Sequence, residues 1–300
     1  MSSYMEPSVE RRLIRRIRLD RPARHELEPR NKLAFLDYIF YILLAAAIAG
    51  FLYYLYSFRG TIGHYLPVLL QGAEITVILS LISIVFATLF GLLGAMGRLS
   101  RFAVLRWIAT VYVEVIRGTP ILVQLLMWFF GIGVVLSSAG IDPQNVAYQI
   151  LTALQLNSLM PDGFDAFFFG VVGLSFNYGA YLTEVFRAGI ESVQKGQTEA
   201  GLSLGLRSGQ ILRRIVLPQA FRITIPPFTN NFITLVQDTA LLSTIAVLEL
   251  QQQMSSIADP LNDSNTKLFI YVFGAMVYLA ICYPLALLSR YLERRLGKAY

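Results

Sequence analysis

The sequence predicts an all-α integral membrane protein with about six transmembrane helices, and three observations carry that prediction. Of 300 residues, 55% are hydrophobic and 15% charged, whereas a soluble domain carries nearer a quarter charged residues. The apolar residues gather in long runs, such as 39–55 and 75–96, long enough at helical rise to cross a hydrocarbon core about 30 Å thick. The basic residues flank those runs and form no aromatic-basic recognition motif, so the net charge of +6 reads as membrane topology and not as nucleic-acid binding.

Hydropathy places the candidate spans at 35–57, 66–96, 108–136, 167–188, 221–248 and 268–288. The second and third exceed the length needed to span, which tilt or overhang accommodates. Arginines cluster in the N-terminal tail (Arg11, Arg12, Arg15, Arg16, Arg18), after the second span (Arg98, Arg101, Arg106), in the segment 187–214, and after the last span (Arg290, Arg294, Arg295, with Lys298). The alternate segments are poor in basic residues: 137–165 has no Lys or Arg, and 250–267 has one. Positive residues stay cytoplasmic, so both termini are expected there. The tyrosines Tyr38, Tyr41, Tyr53, Tyr54 and Tyr56 bracket the first span as an interfacial belt. The stretch 155–165, with Pro161 and Gly163, reads as an outside loop. A polar, arginine-rich stretch precedes the first span, so no signal peptide is expected and that span is retained as an anchor. Within the tail, 9–19 mixes Leu13, Ile14 and Ile17 with arginines; it either lies on an anionic membrane surface or is a solvated tail that enforces topology.

Several chemistries find no residues to support them. His25 and His64 form no HExxH pair, and no GxxxxGK[ST] loop or GxSxG elbow occurs. The lone Cys282 forms neither a disulfide framework nor a cysteine metal site within the chain. No catalytic residue and no metal ligand is therefore expected.

The segment 194–219 between the fourth and fifth spans is unusual for a loop. Thr198 can cap a short helix whose first turn holds Glu199, and Gly205 can end it. A second helix can start near Ser208, present Ile211, Leu212, Ile215 and Val216 on an apolar face, and stop before Pro218. Gly201, Gly205 and Gly209, four residues apart, lower the relief so that another surface can approach. A re-entrant or interfacial helix is the alternative.

The pattern Glu199, Ala200, Gly205, Ile215, Leu217, Pro218 resembles the EAA signature of permease subunits in bacterial ATP-binding-cassette (ABC) importers, with Gly201 where alanine is usual. The runs VEVIRGTPILVQ at 113–124 and YGAYLTEVFRAGIE at 178–191, the pair Pro226 and Pro227, and QDTALL at 237–242 look like the polar amino acid branch of that family. The similarity covers about 66–295. It implies a type I permease fold with one extra N-terminal span, divided as a basic tail (1–34), the extra span and an outside loop (35–65), the permease domain (66–295) and a short tail (296–300).

Asp238 sits mid-run in the fifth span, where a carboxylate costs about 2.5–3.5 kcal/mol unless paired or wet, and Asn231, two turns earlier, shares its face. The resemblance implies that both line the substrate cavity; a salt bridge at a helix contact is the alternative for Asp238. Asparagine at 231, where basic-amino-acid importers often carry an acid, weakens a cationic-substrate reading. Gln124 is a further substrate-contact candidate. Pro120, after Arg117, can kink its span and free carbonyls near a cavity or gate, while Glu114, Arg117 and Glu184 read as structural pairs or interface anchors. Gly91, Gly94 and Gly97 read as close helix packing.

The resemblance implies a transport subunit with no cofactor of its own. Cytoplasmic ATPase subunits holding ATP and Mg, a second permease copy or homologous permease, and an extracytoplasmic amino-acid-binding protein are the partners it implies, within the lipid bilayer. An ion-coupled transporter using Asp238 as a proton or sodium site is the rival reading, and a membrane sensor or scaffold using the basic tail is a second.

Overall fold

The computed structural model describes residues 30–156 and 161–296, with side chains from Asp37 onward. The tail segment 9–19 lies outside the described residues. The chain divides into two compact units, Met1–Arg59 and Gly60–Tyr300. In the first, helix α1 (Arg30–Ser57) is an apolar span with exposed side chains such as Phe40, Leu43 and Leu52.

The described residues of the second unit form helices joined by short turns, with no strand among them. Its elements are α2 (Arg59–Arg98), α3 (Ala103–Arg117), α4 (Ile121–Ser138), α5 (Pro143–Ala153), α6 (Phe164–Glu191), α7 (Lys195–Ser203), α8 (Ser208–Ile245), α9 (Leu250–Ala258) and α10 (Ser264–Leu296). In hydrocarbon no water can serve backbone N–H and C=O groups, and the helix satisfies them within the segment. Five helices, α1 among them, are long and apolar enough to span, or six if the bent pair α8 and α9 forms one broken span. The six apolar stretches read from the sequence each meet a helix.

The centre of the unit is α6, with 78% of its most apolar window buried. Leu174, Tyr178 and Leu182 of α6 meet Leu79 and Ala87 of α2, Leu125 of α4 and Leu235 of α8 in one cluster, and α8 also packs on α10. Glycines set the closest approach. A Cβ at Gly94 would lie 2.1 Å from Thr183 Oγ1, and one at Gly91 would lie 2.7 Å from Leu182 Cβ. Gly179 meets α2 as closely, 2.6 Å from Phe90 Cβ. Small residues at such contacts let backbones approach where lipid supplies no hydrophobic drive.

Three features depart from the sequence reading. The third stretch is two helices: α3, too short at fifteen residues to cross alone, and α4, parted at residues 118–120. Pro120 has no N–H to continue the ladder, and the freed carbonyls are taken by a side chain, as the next subsection describes. The segment 137–165, read from the sequence as lying outside, contains α5, which opens on Pro143 at a position where the missing N–H costs nothing. The fifth stretch does not run straight to 248. Its α-helix ends at Asp238, tightens to a 3-10 segment (Thr239–Ile245), turns at Ala246 with φ +63° and restarts as α9, bent by 49°. The fully buried Glu249 makes that restart possible: its carboxylate accepts from the N–H groups of Gln251 (2.9 Å) and Gln252 (2.8 Å) and from the Tyr278 hydroxyl (2.7 Å).

Outside the spans, Asp263 caps α10. The Thr266 hydroxyl and the N–H groups of Thr266 and Asn265 hold its carboxyl below the ordinary 3.8. That cap supports the fold above the ordinary value and fades as pH falls through the lower folded value.

A Gly94→Val substitution is expected to force α2 off α6, destabilising the chain by about 1–3 kcal/mol. Thermal unfolding in detergent checks this against Gly63→Ala, at a site where a Cβ meets nothing within 4 Å.

Candidate functional site

Two places carry the residues singled out by the sequence. The first is the loop between α6 and α8. Helix α7 begins at Lys195 with Gln194 as its N-cap and no side-chain cap bond, so Thr198 lies a full turn inside the helix and is not the cap. The other end is as the sequence suggests. Gly205 takes φ +77°, its N–H donates to the Leu202 carbonyl (2.9 Å), and the Leu206 N–H donates to the Gly201 carbonyl (3.1 Å). This paired closure needs the left-handed conformation that glycine adopts without strain.

The next helical turn starts at Ser208, where the Gln210 side chain accepts from the Arg207 N–H at 2.9 Å. It does not stop before Pro218. A wider π turn, Leu212–Val216, leads directly into the α-helix Leu217–Asp238. Pro218 falls in that helix's first turn, where no N–H is required, and the Gln219 side chain donates to the Ile215 carbonyl (2.9 Å). From Ser208 onward the loop and the fifth span are therefore one continuous helical path.

The expected apolar face turns largely inward. Ile211 and Val216 are buried, Ile215 is half-buried, and Gly201 is buried against Ile211 and Ile215, whose side-chain atoms lie 3.0–3.2 Å from where its Cβ would be. Gly205 and Gly209 face open space. Among the residues the loop exposes are Glu199, Ala200, Leu202 and Leu204, the last 81% accessible, together with Leu212 and Leu217 and the basic Lys195, Arg207, Arg213 and Arg214. Behind it, Glu184 of α6 pairs with Arg187 (2.7 Å) and with Arg98 of α2 (3.3 Å), and Arg98 lies 3.9 Å from Glu114 of α3.

The second place is a cavity of about 560 Å³ within the helices. Its lining joins the α3–α4 break (Arg117, Gly118, Thr119, Pro120, Ile121) to Asn177, Tyr178 and Tyr181 of α6 and to Asn231, Thr234 and Asp238 of α8. Asn231 and Asp238 thus share one wall. Asp238 accepts a hydrogen bond from the Tyr178 hydroxyl at 2.7 Å, and Asn231 donates to the Pro227 carbonyl at 2.8 Å. The Arg117 guanidinium lies 5.3 Å from the Tyr181 ring centre. Gln124 is not in the lining. Fully buried, it donates to the carbonyls of Ile116 (2.7 Å) and Thr119 (3.1 Å) and accepts from Asn177 (3.1 Å), stitching the α3–α4 break to α6.

Sequence reasoning missed Arg117, Asn177, Tyr178, Tyr181 and Thr234 as lining residues. An amide inside an apolar run was the available signal at Asn177, by the reasoning that singled out Asp238. Arg117 gave none, because a cation at a span end is ordinarily a topological anchor.

A family model described as binding-protein-dependent transport system inner membrane component matches residues 87–298, spanning both the loop and the cavity. The chain belongs to that family. It is a multi-pass permease component of the inner membrane. Among its relatives is the L-cystine transport system permease protein TcyB of Bacillus subtilis, 37% identical over 77% of this chain and 88% of that protein. The glutamate/aspartate import permease protein GltK of Escherichia coli is 34% identical over 77% of this chain and 94% of its own length. The crystal structure of an amino acid ABC transporter with histidines superposes with a TM-score of 0.64 at 30% identity, covering 78% of this chain and 97% of that one. The fold is thus that of the family's solved permeases, and α1 precedes the family match.

Replacing Gln124 with leucine is expected to strip the Ile116 and Thr119 carbonyls of their donor. Unfolding in detergent should show a loss of about 1–3 kcal/mol, the cost of buried polar groups left unpaired.

Proposed function

We propose that the chain is the permease subunit of an ATP-driven ABC importer of polar amino acids, with the cavity as its substrate site and the loop 194–219 as the place where a partner ATPase drives it. The observation that carries this reading is that the exposed Glu199–Leu204 surface leads through one closed turn into α8, and α8 carries Asn231 and Asp238 to the cavity wall. The relatives' names supply the substrate class. An ion-coupled mechanism finds no support among them.

In this reading a pair of cytoplasmic ATPase subunits binds ATP and Mg and hydrolyses ATP, since this chain offers no phosphate-binding loop. Their closure moves the segment holding Glu199, Ala200, Gly201 and Gly205, and the movement passes along Ile215, Leu217 and Pro218 into α8. A second permease copy, or a homologous one, completes the path, and an extracytoplasmic binding protein delivers the substrate. Both termini lie in the cytoplasm, supported by the arginines flanking the described spans. The segment 35–65 adds one crossing to a permease domain of 66–295. Asp238 and Asn231 contact substrate, whereas Gln124 positions the cavity rim from behind.

The test is uptake in proteoliposomes holding the chain, its ATPase and binding protein. ATP-dependent amino acid uptake is expected; uptake driven by an ion gradient without ATP would sink the reading. Glu199→Lys is expected to leave ATPase activity measurable while cutting uptake at least tenfold, and unchanged uptake would remove the loop from the drive.

A further inference from the structure

Helix α3 packs by one side and leaves the other open. Ala109, Val113 and Ile116 are buried, while Val104, Trp107, Ile108, Val111 and Val115, which the helical period places on one opposite face, are exposed. No charged residue interrupts that stripe. Two arginines stand where it begins. Arg106 donates from Nη1 to the Ser100 carbonyl (3.4 Å), which holds its guanidinium against the chain neighbour of Arg101, and the Arg101 guanidinium lies 5.2 Å from the Phe102 ring centre. Both arginines are exposed, and among the described residues neither makes an ion pair. Arg98, three residues before Arg101, is by contrast held by Glu184 at 3.3 Å.

A contiguous apolar stripe of this kind marks contact with lipid or with another protein, and the charges decide between them. Two copies of this chain related by an axis along the membrane normal would keep their basic ends at one depth, so a self-complementary contact on this face would set unpaired arginines against arginines. An anionic lipid brings the missing charge and an apolar chain together. Trp107, an amphipathic ring beside the basic end, sits as tryptophans do at the level of the headgroups.

We propose that the start of α3 is a binding site for an anionic phospholipid, Arg101 and Arg106 taking the phosphate headgroup and the stripe from Val104 to Val115 taking an acyl chain. Basic residues beside membrane helices draw such lipids through the phosphate charge, and two exposed guanidinium groups with no acidic partner keep that capacity free. The lipid tethers the opening of the helix whose other end, Arg117, lines the cavity about 22 Å away along the axis.

The chain carries its own reporter, since it has two tryptophans and a brominated acyl chain quenches an indole that it touches. The full chain and its Trp128→Phe variant, in which Trp107 is the sole tryptophan, are placed in phosphatidylcholine bilayers containing equal mole fractions of dibrominated phosphatidylglycerol or dibrominated phosphatidylcholine. At Trp107 the phosphatidylglycerol is expected to compete at least about fivefold better, the weight of one arginine near an anionic headgroup. Added salt should lower that preference and leave quenching by phosphatidylcholine unchanged. Arg101→Gln with Arg106→Gln should make the two lipids equal, and Arg101→Lys with Arg106→Lys should keep most of the preference. The lipid and salt series on the unaltered chain depend on no variant folding. Equal quenching by the two lipids, a preference insensitive to salt, or a preference intact in the double glutamine variant would overturn the assignment. Quenching of Trp107 by neither lipid would show the stripe covered by protein, a second copy included, and would overturn it too.

Discussion

A backbone in hydrocarbon has no water to fall back on, so every place where a helix breaks must find another partner for its freed groups. That constraint decides where this chain can be irregular. At 118–120 the ladder fails beside Pro120, and Gln124 supplies its amide to the Ile116 and Thr119 carbonyls. At the far end of α8 the chain turns through Ala246, and Glu249 gathers the N–H groups that open α9. Both breaks lie among polar or charged side chains, and the first of them forms part of the cavity rim. The irregular backbone is what lets several elements converge there, while the regular helices around it need only pack.

Packing in turn depends on side chains that are missing. Gly91, Gly94 and Gly179 bring α2 and α6 into contact distances that a single methyl would violate. The closeness fixes α6 as the central post, with Tyr178 and Tyr181 on the face that meets the cavity. The Arg98–Glu184–Arg187 cluster ties α6 to the end of α2 near the loop. Rigid contact at one level and ionic contact at the other leave α6 little freedom relative to α2.

Much of this was legible in the sequence, and the parts that were not share a cause. Long apolar runs announce spans because bilayer thickness is a fixed length. Gly205 announces a helix end because few other residues take its backbone conformation, and Asn231 with Asp238 announce one face because the helical period is fixed. Thr198 misled because a good cap residue does not forbid a helix from starting a turn earlier. Pro218 misled because a proline ends a helix only if its own N–H was needed, and the preceding π turn removes that need. Gln124 was visible as a polar residue in a span, but its carbonyl partners lie up to eight residues back on another helix. Arg117 joined the cavity only because the break beside it turns the end of α3 toward α6.

From Ser208 to Asp238 the helical path is unbroken, about 45 Å at the usual rise, with a π turn near one end and Pro226 and Pro227 in its interior. Under the proposed coupling, a push on the loop end is carried toward Asp238 through continuous helical backbone. Under the proposed coupling such a linkage works in reverse as well: whatever holds the cavity end of the helix in place resists movement of the loop end, with no separate signalling element.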